Sequence, residues 1–161
     1  MVFSSNIFLI YFLPVFLIFY FISPKRWRNV VLLMFSLVFY AYGAPDFILL
    51  LVGSCVANFY LVKLMHKTEK KLTKKLYCAA AIIISLGLLI YYKYANFFIE
   101  NINHLLEAFD SHTITFAKVL LPIGISFFTF QSITYVIDTY RGNNQPMDRL
   151  HDYVLYIMMF P

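Results

Sequence analysis

The chain has 161 residues, of which 61% are hydrophobic, 20% aromatic and 13% charged, and its mean hydropathy is +0.74. Soluble domains carry about 25% charged residues, so the composition excludes a water-soluble globular domain and predicts an all-α polytopic membrane protein solvated by the lipid bilayer. The formal net charge of +5 comes from short basic clusters between apolar runs, the pattern of membrane loops and not of a nucleic-acid surface.

A crossing needs about 20 mainly apolar residues, and runs of that kind recur near residues 3–22, 27–42, 47–65, 76–99 and 119–140, with another beginning at 153. The first is no cleavable signal: it lacks a positive leading segment and a small-residue cleavage site, and Pro24, Lys25, Arg26 and Arg28 follow it as a stop. The second is short. Gly43, Ala44, Pro45 and Asp46 then predict a tight turn, with Pro45 in a first helical turn and Asp46 at a helix N-terminus. Cys55 and Cys78 lie within apolar runs and read as small hydrophobes, not as a metal site or a disulfide. In the fourth run Tyr91, Tyr92 and Tyr94 read as an interfacial aromatic belt, with Lys93 extending its head to the interface. Beyond it Ile102, Leu105, Leu106 and Phe109 follow helical spacing, which predicts a separate amphipathic helix within residues 100–117, lying on the outer surface.

The fifth run carries polar groups that lipid does not tolerate unsatisfied. At about 3.6 residues per turn, Gly124, Gln131, Thr134 and Asp138 fall on one side of it. One reading makes that side packing glue between helices; the other makes Gln131 and Asp138 part of a substrate path. Asp138 and Arg141 are spaced to pair. The sixth run stops at Pro161 after about half the length of a crossing, which predicts that the chain is the N-terminal piece of a longer protein.

The charges orient the spans. Lys25, Arg26 and Arg28 fill the first loop, Lys63, Lys67, Lys70, Lys71, Lys74 and Lys75 surround the third, and Arg141 and Arg149 lie in the fifth, leaving only Lys93 and Lys118 elsewhere. The alternate loops hold Asp46, Glu100, Glu107 and Asp110. The positive-inside rule then puts the basic loops in the cytoplasm and the N-terminus outside, in a cytoplasmic (inner) membrane.

Chemistry is sparse. His66, His104, His112 and His151 stand in loops without ligand spacing, and Ser126, Thr129, Ser132 and Thr134 have no evident base. No metal site or bound cofactor is expected.

Residues 1–5, 27–33 and 39–43, the motif Pro-x-Gly-x-Ser-Phe-Phe-x-Phe-Gln at 122–131, and Asp138, Thr139, Tyr140, Arg141 and Gly142 resemble the membrane-bound O-acyltransferase family. The similar branch contains alginate O-acetylation proteins, peptidoglycan O-acetyltransferases and the D-alanyl transfer proteins of teichoic acids. The resemblance covers essentially the whole chain. It implies the N-terminal part of one multi-pass domain with a central tunnel, and acyl (acetyl) transfer from a cytoplasmic thioester or acyl carrier to hydroxyls of an extracytoplasmic polysaccharide, with extracytoplasmic acyltransferase partners. The family's essential histidine lies in an apolar helix of its later half, and no histidine here has that setting. No catalytic residue is therefore carried over, and this chain alone is expected to be inactive. Gln131 and Asp138 are the substrate-path candidates. The alternatives are a fragment of a transporter or flippase, or a truncated inactive product.

Overall fold

The computed structural model describes all residues except 1–4, 44, 109–114, 116–118, 120, 123 and 160–161. The described residues form helices and no strand: α1 (Leu13–Ile22), led in by a π-helical stretch Phe8–Phe12, then α2 (Arg28–Gly43), α3 (Pro45–Lys67), α4 (Lys71–Ala108), α5 (Ile125–Arg141) and α6 (Leu150–Met158). The π-helical stretch has a local cause. Pro14 lacks an N–H and its ring crowds the carbonyl four residues back, so the turn before it widens. Pro45 opens α3, where its missing donor costs nothing.

α3 is the central element and packs against α2, α4, α5 and α6, whereas among the described elements α1, apart from its π-helical lead-in, packs on α2 alone. The core gathers around Val62, Met65, Val136, Tyr153, Ile157 and Met158, all nearly inaccessible. A second cluster of Phe8, Phe16 and Phe39 holds α1 to α2. Outward, large apolar side chains stand free: Ile22 is 78% exposed, Leu49 80% and Leu72 82%. Asn58, Ser85, Thr129 and Ser132 are buried instead. Polar groups inside and aliphatic ones outside suit lipid as the solvent. Helices Phe47–Lys67 and Lys71–Glu107 are long and apolar enough to cross a bilayer, and Phe8–Ile22 and Arg28–Tyr42 are apolar but shorter. The chain is an all-α membrane protein.

Two boundaries differ from the sequence reading. No separate surface helix follows the fourth run: α4 continues unbroken to Ala108 as a 38-residue helix, about 57 Å long at 1.5 Å per residue. No glycine or proline lies between Gly87 and Pro122 to end it, and Asn101 folds its amide back onto the Phe97 carbonyl at 2.7 Å. Phe109, Asp110 and His112 lie outside the described residues.

The fifth helix begins at Ile125, not near 119. Pro122 disfavours helix in the residue before it, and Gly124 sits at φ 86°, a left-handed conformation open to glycine. Instead, Val119 is pinned to α4: Asn96 accepts its N–H at 2.9 Å and donates to its carbonyl at 2.7 Å. α5 ends on Gly142 at φ 82° in a Schellman turn. Gly142 N–H reaches the Thr139 carbonyl at 3.2 Å and Asn143 N–H the Asp138 carbonyl at 2.9 Å.

The ends of the helices alternate as the charges require. At one end Asn29 donates to Asp152 Oδ1 at 3.3 Å, Lys63 donates to the Asp148 carbonyl at 2.8 Å, and Lys74 lies over the Tyr140 ring. These contacts join the starts of α2, α4 and α6 to the ends of α3 and α5, and so gather the three basic clusters at one end. The Phe47–Tyr92 ring contact and the Asn96–Val119 bonds mark the opposite end.

Candidate functional site: a buried polar node

Four helices meet at Asn58. It projects from the middle of α3 and is 2% exposed. Its Nδ2 donates to Ser85 Oγ of α4 at 2.8 Å and to Ser132 Oγ of α5 at 2.9 Å. Ser132 shares a 2.9 Å bond with Tyr153 Oη of α6. The Tyr153 ring lies between Tyr135, with centroids 4.9 Å apart, and Phe59 at 6.0 Å. Tyr135 Oη in turn accepts the Met147 N–H at 2.8 Å, tying down the α5–α6 loop. Ser85 and Thr129 each donate to the carbonyl four residues back, Ala81 and Ile125, at 3.0 and 2.8 Å. The node is neutral. It fixes the relative positions of four helices, and it holds no acid, base or activated nucleophile.

The two sequence candidates stand beside this node and not in it. The interior face of α5 is built by Ile125, Phe128, Ser132, Val136 and Thr139, at helical spacing. The side expected to face inward is turned away from it: Gly124 and Thr134 are exposed, and Gln131 and Asp138 are half-buried at its edge. The pattern misleads because lipid exposes Phe127 and Phe130 (68% and 59%) while serine and threonine take the interior. Gln131 reaches α6, its Nε2 donating to the Tyr156 carbonyl at 2.7 Å. That carbonyl is in the last turn of α6, where carbonyls need partners from outside the helix, so Gln131 acts as a cap. Asp138 receives the Asn143 side-chain amide at 3.4 Å instead of the expected Arg141, which is exposed.

The described histidines are peripheral. His66 is exposed at the end of α3, His104 lies 3.8 Å from Glu107 on the exposed end of α4, and His151 is 3.5 Å from Asp152. Cys55 and Cys78 are buried free thiols. Among the described residues no group of three or more histidine, cysteine or acidic side chains is placed to hold a metal. The sequence reading passed over Asn58 and Ser85. An asparagine in the middle of an otherwise apolar run was the available signal, since such a group needs a partner across helices.

The fold and node define a polytopic helical membrane protein with a polar centre. Over its whole length the chain is 40% identical to the probable alginate O-acetylases AlgI of Pseudomonas aeruginosa and of Pseudomonas syringae pv. tomato, covering 31% of each. Over 96% of its length it is 34% identical to the peptidoglycan O-acetyltransferase of Helicobacter pylori, covering 29% of that protein. The chain thus spans about a third of the length of these curated relatives. No family model and no solved structure matches it. Over its whole length the chain is thus similar to one part of proteins named as O-acetylases and O-acetyltransferases.

Proposed function

We propose that this chain is the N-terminal part of a membrane-bound O-acyltransferase that moves an acetyl group from a cytoplasmic acyl thioester or acyl carrier to hydroxyls of an extracytoplasmic polysaccharide. The observation that carries this reading is the 40% identity over the whole chain to proteins named alginate O-acetylases, with a peptidoglycan O-acetyltransferase matching the same stretch. Both names describe ester formation on a polysaccharide. A transporter finds no support among these relatives. A membrane scaffold suits the chemistry: the thioester must meet a hydroxyl where water does not compete, and a histidine with pKa near neutrality suits removal of the hydroxyl proton. None of the chain's own histidines lies within an apolar run, so the base is supplied from elsewhere in the complete enzyme.

In this reading the 1–161 segment builds wall and not catalyst. Gln131 and Asp138 flank the path, the basic end faces the cytoplasm of an inner membrane, and extracytoplasmic acyltransferases take part in delivery to the polymer. The test is complementation. The full-length protein, expressed in a strain that cannot O-acetylate its alginate, should restore ester-linked acetate on the secreted polymer. A membrane-inserted full-length protein that leaves the polymer unacetylated, on alginate and peptidoglycan alike, would remove the reading. Residues 1–161 purified alone should neither hydrolyse an acyl thioester nor transfer its acyl group above background; a rate abolished by His104→Ala or His112→Ala would place the chemistry in this segment after all.

A further inference from the structure

The hydrogens of the node are nearly all committed, and what its side chains offer one another is lone pairs. Asn58 has two amide hydrogens and gives them to Ser85 and Ser132. Ser85, Ser54 and Thr129 give theirs to the carbonyls of Ala81, Leu51 and Ile125. Only the Ser132–Tyr153 pair keeps one hydroxyl proton spare, because a single bond joins two hydroxyls. Meanwhile Asn58 Oδ1 is fully buried and has no hydrogen-bond partner among the described residues. A bare amide oxygen in such surroundings is costly, which is why buried polar atoms are almost always paired.

Beside it is a cavity of about 20 Å³. Its polar wall is Ser54, Asn58, Ser85, Thr129 and Ser132, and the rest is apolar. One water molecule needs roughly 10–15 Å³ measured in this way, together with two or more polar partners. The space therefore suffices for one water. A water is also the right chemical species. It has two O–H donors for a wall rich in acceptors, the first for Asn58 Oδ1 and the second for the free lone pairs of Ser54 or Thr129.

We propose that the meeting point of α3, α4, α5 and α6 is a binding site for a single structural water held by Asn58. The water completes the node and so becomes part of the helix packing. Other occupants fit worse. An apolar group leaves the amide oxygen bare, an anion meets lone pairs, and a bare monovalent cation finds no carboxylate on the wall. The inference does not depend on which way the Asn58 amide is turned. With Oδ1 facing the two serines, their hydroxyls would have to turn to donate to it, Nδ2 would point to the cavity, and the same water would accept a hydrogen bond instead of donating one.

The test uses the full-length protein in lipid nanodiscs. A cryo-EM map that resolves ordered waters should show one isolated peak about 2.7–3.2 Å from the Asn58 side-chain amide. Solid-state NMR should show water-to-protein transfer at the Asn58 and Ser132 side chains despite their burial. Melting temperatures in sodium chloride and in choline chloride of equal ionic strength should agree. An empty cavity, a side chain from elsewhere in the full-length protein occupying it, or a rise in melting temperature specific to sodium would each overturn the proposal.

Discussion

Asn58 and Gln131 are both long polar amides in membrane helices, and their surroundings predict different sensitivities. Asn58→Leu removes two bonds between helices, at about 0.6 kcal/mol each on average and up to about 1.7. Ser85 and Ser132 keep Ala81 and Tyr153 as partners, so no hydroxyl is orphaned and the loss stays near 1–3 kcal/mol. Gln131→Leu removes one bond to the Tyr156 carbonyl, but it also removes Gln131 Oε1, a buried oxygen without a partner among the described residues. Its cost should be under about 1 kcal/mol. Reversible unfolding of the two full-length variants in mixed micelles measures both, and equal losses would show that the node is not the tighter junction. The glycines give a second pair. A Cβ on Gly124 would lie 3.0 Å from Phe128 Cε2, on top of its φ of 86°, whereas Gly142 at φ 82° has open space around it. Gly142→Ala should cost about 1–2 kcal/mol, the conformational penalty alone. Gly124→Ala should cost more, and the same unfolding assay should rank them in that order.

At the scale of elements, apolar length was the legible signal and polarity the misleading one. The second, third and fourth runs became α2, α3 and α4 because an uninterrupted apolar stretch can satisfy its backbone only as helix. Pro45 marked a start, for a reason internal to the backbone, whereas the stop at Gly142 emerges only from the structure. The limits of α4 and α5 were harder to read. Change of composition at Glu100 suggested a loop, but composition alone does not end a helix, and no proline or glycine stands at Glu100 to do so; α5 begins only after Pro122 and the left-handed Gly124. The face of α5 was misread because spacing alone does not say which side meets protein. Thr129 and Thr139, bonded back to their own helix, pack closely inside with Ser132 and Phe128, while Phe127 and Phe130 face outward. Tyr153 was seen only as part of an apolar run, and its hydroxyl partner, Ser132, lies 21 residues away in sequence. The continuity of α4 can be checked directly. Amides of residues 99–107 should exchange slowly in hydrogen–deuterium exchange of the nanodisc-embedded protein, in step with their i→i−4 bonds. Fast exchange beginning at Glu100 would restore the separate surface segment.

At the scale of the whole molecule, sequence and packing agree on which loops lie together and leave one binary choice. The contacts of Asn29, Lys63 and Lys74 bring the three basic clusters to a single end of the bundle. Lys67, Lys70, Lys71 and Lys75 are exposed there, with Glu69 the one acidic residue among them. The opposite end carries Glu100 and Glu107. A basic end within about 15–20 residues of the spans is retained in the cytoplasm, where anionic headgroups favour each cation by about 1 kcal/mol. On that rule the N-terminus, an odd number of spans from the first basic loop, is expected outside. Reporter fusions after His66 and after Asp110 should therefore read cytoplasmic and external, respectively. Because one fusion point precedes α4 and the other follows it in sequence, they must give opposite answers if α4 crosses the membrane. Two cytoplasmic readings would mean that α4 does not cross, and a reversed pair would turn the whole bundle over and put the proposed acyl donor at its acidic end.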